Sequence, residues 1–296
     1  VFFGNHDVGI TSLKSLTSYA EVVGVVAHPM DSEEGYRFAS VYEFAVENGL
    51  TVIRGSGKER SVLKFVRDLS PDLIWVTDYR YILPNKVLSI PKLGSINLHP
   101  SLLPKYRGRA PLNWAILTGE TQIGLTAHFI DDGIDTGDVV KQVTLTLNYD
   151  HDIYDALKAL MPLYQKLTKD VIEFFLSGNV PRQPQNLSMG SIFPARTPAD
   201  GHIDWNKSAT EIFNLVRAVA YPYPGAFTQF KMNRVYIWKA SISDITDKSA
   251  VPTGSVVESG RDNKPKIKCG NGILQIMKWT SDASYPISFE IGDRFS

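Results

Sequence analysis

Short β-branched apolar runs alternate with stretches of helical periodicity through the first hundred residues, and this alternation constrains the fold more than any other feature. The runs are VFF at the start, EVVGVVAH from Glu21, TVI from Thr51, DLIWVT from Asp72 and GSINLH from Gly94. Helices are expected between them over residues 11–19, 40–48 and 61–70. Strands and helices at this spacing form βαβ units around a mostly parallel sheet. In such sheets ligands collect at the carboxyl ends of the strands. Those ends carry Asn5, His6 and Asp7, residues 78–83, and residues 97–100.

Two more strand-like runs, IGLTAHFI from Ile123 and VVKQVTLTL from Val139, flank a loop rich in aspartate. Residues 150–177 read as a long amphipathic helix, interrupted or kinked near Pro162. Residues 178–200 carry Pro, Gln, Asn and Ser without clear periodicity and read as a linker wrapped on the surface. A last helical unit is expected over 204–220. Beyond Tyr221 the runs AFTQF, RVYIWKA, TGSVV and ILQIMKW, separated by turn signals, point to a small β-barrel-like domain. The chain has 296 residues, 43% of them hydrophobic, enough for two cores. The expected architecture is α/β: a Rossmann-like catalytic domain over 1–190, followed by a smaller β-rich, OB-like domain over 191–296.

Lys+Arg and Asp+Glu balance at 31 each. A formal charge of zero argues against a protein whose main task is to grip nucleic acid phosphates, although a local basic patch stays open. The single cysteine, Cys269, excludes an internal disulfide and any multi-cysteine metal site, and no metal is expected. This points to a reducing, cytoplasmic setting. No segment approaches the roughly 20 apolar residues of a membrane span, and no membrane partner is expected.

The polar residues concentrate in INLHPSLLPKYRGRAP, residues 96–111, and in DDGIDTGD, residues 131–138. Asn97 and His99 stand at i and i+2 on a strand end, so both side chains point to one side of the sheet. A histidine there can accept or relay a proton near neutral pH, and an asparagine amide can donate to an oxygen that gains negative charge. A carboxylate from the aspartate loop would orient the imidazole. The residues alone leave open which aspartate serves. Gly133 and Gly137 let backbone groups approach a flat ligand, and the Pro- and Arg-rich loop is expected to brace the site and feed Arg107 or Arg109 towards an anion. Taken singly, a histidine after a strand is more often structural, and Asp-Gly loops are more often solvated turns.

The run NLHPSLLPKYRGRAPLNWAILTGETQIGLTAHFIDDGIDTGDVV resembles the signature of the folate-dependent formyltransferases. The pattern Asn-x-His-x-Ser-Leu-Leu-Pro followed by Asp-x-Gly is long and specific, and the resemblance covers nearly the whole chain. It implies a catalytic set on Asn97, His99 and Asp135; the 36 positions from His99 select Asp135 over Asp131, Asp132 and Asp138. It implies N10-formyltetrahydrofolate as co-substrate, with a pocket at Tyr81, Ile82, Leu83, Arg109, Asp131, Asp132, Gly133 and Ile134. FFGNHDVG, SPDLIWVTDYRYIL and PADGHIDWNKSATEIFNLVRAVAYPYPGAF look most like sugar-nucleotide N-formyltransferases, in particular the formyltransferase half of the UDP-4-amino-4-deoxyarabinose enzyme. That likeness implies a UDP- or dTDP-linked amino sugar as acceptor, formylated at C4 for cell-surface polysaccharide, and a homodimer. Asn5, His6, Asp7 and Arg107 would then contact the acceptor, and Tyr221 and Tyr223 would stack on its base or pack a hinge. The alternative within the family is a methionyl-tRNA formyltransferase. The short acidic run AHPMDSEEGYRF after the second strand, in place of a basic insertion, and the zero net charge favour the sugar and no nucleic acid partner.

Overall fold

A computed structural model describes residues 1–29, 38–244, 250–259 and 263–296. The run after the second strand, on which the choice of acceptor leaned, lies largely outside the described residues. The chain forms two compact units: residues 1–111, 122–146 and 158–193 make up the first, and residues 112–121, 147–157 and 194–296 the second.

The first unit is built on one sheet. Its strands are β1 (Phe2–Gly4), β2 (Val25–Ala27), β3 (Val52–Arg54), β4 (Ile74–Thr77), β5 (Ser95–His99), β7 (Gln122–Phe129) and β8 (Val139–Thr146), with the two-residue β6 (Arg107–Gly108) lying apart. The spatial order is β3-β2-β1-β4-β5-β7-β8. The five strands from β3 to β5 pair in parallel, whereas β7 and β8 run antiparallel to their neighbours. Short β-branched runs suit the parallel half because helices cover them: β1, β2 and β4 are buried at every residue. The expected mostly parallel, Rossmann-like sheet is what forms.

Three helices connect these strands: α1 (His6–Thr17), α2 (Val41–Glu47) and α3 (Arg60–Leu69). The first starts five residues before the expected Thr11, so His6 and Asp7 form its first turn instead of a strand end. Ser40 caps α2 by accepting from the Glu43 amide. α3 is amphipathic: Val62 and Val66 are fully buried and pack with Phe3, Val26, Ile74 and Val76 in the core. The short α4 (Asn85–Leu88) adds Val87 to that cluster.

Helix α5 (Pro111–Leu117) precedes β7, and α6 (Ile153–Ser177) follows β8, with Pro162 inside it. Residues 178–200, expected to be a linker, are more ordered than that. They hold β9 (Ile192–Phe193), which pairs in parallel with β6. The segment has no side-chain periodicity because it is held by backbone pairing and by single side-chain contacts from Gln185, Ser191 and Phe193.

The second unit carries α7 (Ala209–Ala218), whose Ser208 and Glu211 form a reciprocal capping box. Its strands are β10 (Ala226–Phe230), β11 (Asn233–Ser243), β12 (Val256–Glu258), β13 (Lys266–Lys268) and β14 (Ile273–Ser281), in the order β10-β11-β14-β13-β12. The final residues stitch the two edges together: Gln229 and Ser296 exchange backbone bonds of 2.8 and 2.9 Å beside β10, and the Val256 amide donates to Asp293 at 2.8 Å beside β12. The expected β-rich second domain is therefore present, with both edge strands occupied.

Candidate active site

Strand register brings the polar residues together. Asn97 lies opposite His128, and His99 opposite Thr126, across the antiparallel β5–β7 pair. Directly paired residues share a face, so these four side chains form one patch on one side of the sheet. Asp135 arrives from the loop between β7 and β8 with its backbone in the left-handed region, φ 52°.

His99 is 5% exposed. Its Nε2 lies 2.8 Å from the Tyr106 carbonyl oxygen. A carbonyl can only accept, so Nε2 carries the proton and Nδ1 is the free base of the neutral ring. That Nδ1 faces Asp135 Oδ2 at 3.7 Å. Burial pulls the imidazole below its ordinary pKa of 6.5, against the raising influence of the Asp135 charge and the Tyr106 bond. For Asp135, burial favours the neutral acid, but His99, His128 and the Gly108 amide together outweigh it and hold the carboxyl well below the usual carboxylate range. The site therefore pairs a neutral imidazole with a fixed negative charge at neutral pH.

His128 belongs to this group, although nothing in its surroundings in the sequence singled it out. Its Nδ1 donates to the Phe129 carbonyl at 2.7 Å. Nε2 then accepts from Asn97 Nδ2 at 3.2 Å and stands 3.6 Å from Asp135 Oδ1. Asn97 Nδ2 also reaches Asp135 Oδ1 at 3.4 Å, so the amide's orientation is set by its neighbours. The longer of these two bonds is the one a ligand oxygen would displace most readily.

The loop after β5 braces the group as expected. The Gly108 amide donates to Asp135 Oδ2 at 2.8 Å. Gly108 has φ 93°, and a Cβ there would stand 2.4 Å from the Phe193 carbonyl oxygen, so no other residue fits. Tyr106 stacks on Phe193 at 5.3 Å, and its amide donates to Ser191 Oγ at 2.9 Å. Gln185 Nε2 donates to the carbonyls of Asp135 and Gly137 at 3.0 and 2.8 Å. Thr126 Oγ1 donates to Ser101 O at 2.6 Å and accepts from Gln142 Nε2 at 2.8 Å.

A cavity of about 240 Å³ opens beside the aspartate loop, with Ser95, Phe129, Ile130, Asp131, Gly137 and Arg182 on its wall. The Ser95 hydroxyl, on the same strand face as Asn97, is buried without a hydrogen-bond partner. Of the residues expected to hold folate, Asp131 is on this wall and braces the loop by accepting from Thr136 Oγ1 at 2.6 Å and the Gly133 amide at 3.1 Å. Asp132, Gly133 and Ile134 lie exposed on the same loop. Tyr81 stacks on His28, ring centroids 4.7 Å apart; Ile82 is 69% exposed and Leu83 is buried in the core. The Arg109 side chain is exposed, while its amide donates to Phe193 O at 3.0 Å.

A second polar group sits where β1 and β4 end. His6 Nδ1 donates to Asp78 Oδ2 at 2.7 Å, its Nε2 accepts from Asn5 Nδ2 at 2.9 Å, and its ring lies over Phe38 at 4.2 Å. Asp7 accepts from the Ala39 amide at 3.3 Å. Arg107 buries an Nε without a hydrogen-bond partner. Tyr221 and Tyr223 belong to the second unit, in the turn after α7, where the 57% exposed Tyr221 meets Tyr154 edge-on at 5.6 Å. Among the described residues no cluster of three or more His, Cys, Asp or Glu could hold a metal ion, and no helix is long and apolar enough to cross a membrane.

The formyl transferase family model matches residues 4–165, and the model of the formyl transferase C-terminal domain matches residues 196–290. A methionyl-tRNA formyltransferase of Clostridioides difficile (strain 630) is 35% identical over 268 residues, covering 88% of this chain and 85% of that protein. Another, from Ruminiclostridium cellulolyticum, is 34% identical over 289 residues, covering 96% of this chain and 92% of its own. Among solved structures, WlaRD, a sugar 3N-formyltransferase crystallised with dTDP and 5-N-formyl-THF, aligns with a TM-score of 0.68 at 21% identity, over 93% of this chain and 95% of that one. At that identity it speaks for the fold. These relatives overturn two expectations, the sugar-nucleotide acceptor and the lack of a nucleic acid partner. The physical reason is that the polar motif of residues 96–138 carries no information on the acceptor, while net charge averages over the surface a polyanion would touch. What both domains, the motif and the long alignments have in common is one assignment: the chain belongs to the formyl transferase family.

Proposed function

We propose that the protein transfers a formyl group from N10-formyltetrahydrofolate to the amino group of methionyl-tRNA, in a cytoplasmic setting. The clustering of Asn97, His99 and Asp135 carries the chemistry; the methionyl-tRNA formyltransferases, 34–35% identical over most of the chain, carry the acceptor. The folate would lie at the carboxyl ends of β4 and β5, where Asn97, His99 and the loop that carries Asp135 meet. When bound, the folate supplies the activated one-carbon unit.

The chain's own residues do the rest. Asn97 Nδ2 gives up its 3.4 Å bond to Asp135 and donates instead to the oxygen that gains charge, a contribution of about 3 kcal/mol. His99 Nδ1, the bare nitrogen of a ring that burial keeps neutral and whose proton the Tyr106 carbonyl holds at Nε2, takes the proton from the attacking amine. The Asp135 carboxylate stabilises the imidazolium from 3.7 Å until Nδ1 passes the proton to the departing folate nitrogen, as the bond between that nitrogen and the formyl carbon breaks. His128 holds the Asn97 amide in its donating orientation.

The test supplies formyl donor and methionyl-tRNA to the purified protein and follows formyl-methionyl-tRNA by mass spectrometry. Formylation of the tRNA is expected. Turnover confined to a nucleotide-linked amino sugar would overturn the acceptor while leaving the chemistry in place.

A further inference from the structure

Helix α3 presents a feature that formyl transfer does not use. Arg60, Lys64 and Arg67 stand at i, i+4 and i+7, on the face opposite buried Val62 and Val66. Lys86 of α4 joins them. Together with Leu63 and Asp68 these residues line a cleft of about 360 Å³. All four cationic side chains are exposed. Lys64 pairs with Asp68, whereas Arg60, Arg67 and Lys86 form no ion pair among the described residues. Four cations against one carboxylate give this wall a charge of about plus three, in a chain whose total is zero. A helix exposed to water has no need to concentrate one sign in this way, because like charges at i and i+4 repel. A concave surface of one sign focuses field and favours a polyanion.

We propose that this α3–α4 cleft is a docking surface for the sugar-phosphate backbone of the RNA acceptor, away from the reacting amine. The proposal rests on the methionyl-tRNA reading and adds to it the surface that grips the body of the substrate. Arginine and lysine on a helical face, beside the apolar Leu63, suit phosphates spaced along a strand, so the contact is assigned to the backbone. Lys86 lies three positions beyond Leu83, so the cleft begins where the loop after β4 ends.

The experiment replaces all four cations together, Arg60→Gln, Lys64→Gln, Arg67→Gln and Lys86→Gln. Binding of deacylated initiator tRNA is read by fluorescence anisotropy across a salt series, and formylation by steady-state kinetics. Each phosphate contact adds about 0.7–0.9 to the slope of log affinity against log salt. The variant is therefore expected to bind tRNA at least about ten-fold more weakly at 0.15 M salt, with a slope shallower by about two to three. Its kcat and its KM for the folate donor should match the wild type, and its melting temperature should be unchanged. Equal tRNA affinity and equal slopes in the two proteins would overturn the cleft as an RNA surface. So would loss of binding to phosphatidylserine vesicles with tRNA binding intact, which would assign the cleft to a membrane. A wild type that binds tRNA through these cations but does not formylate methionyl-tRNA would sink the acceptor assignment and not the cleft. A wild type that fails to bind tRNA would sink both.

Discussion

Two polar groups in the first unit differ in how they are held. On the β5–β7 face, His99 and His128 are almost wholly buried, and their partners include main-chain atoms: Tyr106 O, Phe129 O and, through Asp135, the Gly108 amide. Where β1 and β4 end, Asn5, His6 and Asp78 bond mainly to one another through side chains, and Asp78 keeps 44% of its side chain in water. Main-chain partners inside a core cannot rotate away, so the first group is preorganised, and the pKa values of His99 and Asp135 are displaced. Side-chain partners at the surface can re-pair when a ligand comes, and exposed ion pairs stabilise little. The contrast separates a group fixed by the core from one free to re-pair.

The largest break in this contrast is expected from His99→Ala. It should lower kcat by about a hundred-fold or more, at about 1–3 kcal/mol of stability because the buried Tyr106 carbonyl loses its donor. Activity close to wild type would remove His99 from the reaction. Asn97→Ala should follow, with kcat down by about a hundred-fold and KM for folate little changed. Gly108→Ala should cost about 1–3 kcal/mol, since the added carbon meets the Phe193 carbonyl at a left-handed φ; thermal unfolding measures it. Asp78→Asn should cost well under 1 kcal/mol and leave kcat unchanged. A large loss of kcat there would erase the distinction between the two groups.

The pH dependence sharpens the same contrast. The folded pKa of His99 lies below its unfolded value, so the unfolded chain binds the proton first on acidification. The stability held by this group is complete above pH 6.5 and is lost as pH falls from there towards the folded pKa. The carboxyl of Asp135 is displaced in the same direction, and its contribution disappears at lower pH, below its ordinary value of 3.8. Asp135→Asn removes an influence that raises the His99 pKa. The acid limb of the pH–rate profile should therefore move to lower pH while the plateau rate falls.

Much of the fold was legible because β-branched runs such as VVA and IWVT are what a covered parallel sheet requires. That Asn97, His99 and Asp135 would come together was legible because strand alternation and a long motif agreed. His128 was not, since it sits in an apolar strand as one polar letter, and only antiparallel register reveals that it faces Asn97. Residues 185–193 escaped for a related reason: Gln185, Ser191 and Phe193 support the site through partners nearly fifty to more than eighty positions away, which no local pattern records. The acceptor was not legible because the motif of residues 96–138 holds no feature that tells an amino sugar from an aminoacyl-tRNA.

Asp135 is committed at both ends, its carboxylate to Gly108 and its carbonyl to Gln185, with the backbone between them in a left-handed turn. Negative charge at this place is therefore not transferable to a longer carboxylate. A glutamate would keep the sign and overshoot the ring it must face, so this corner of the molecule conserves a length as strictly as a charge.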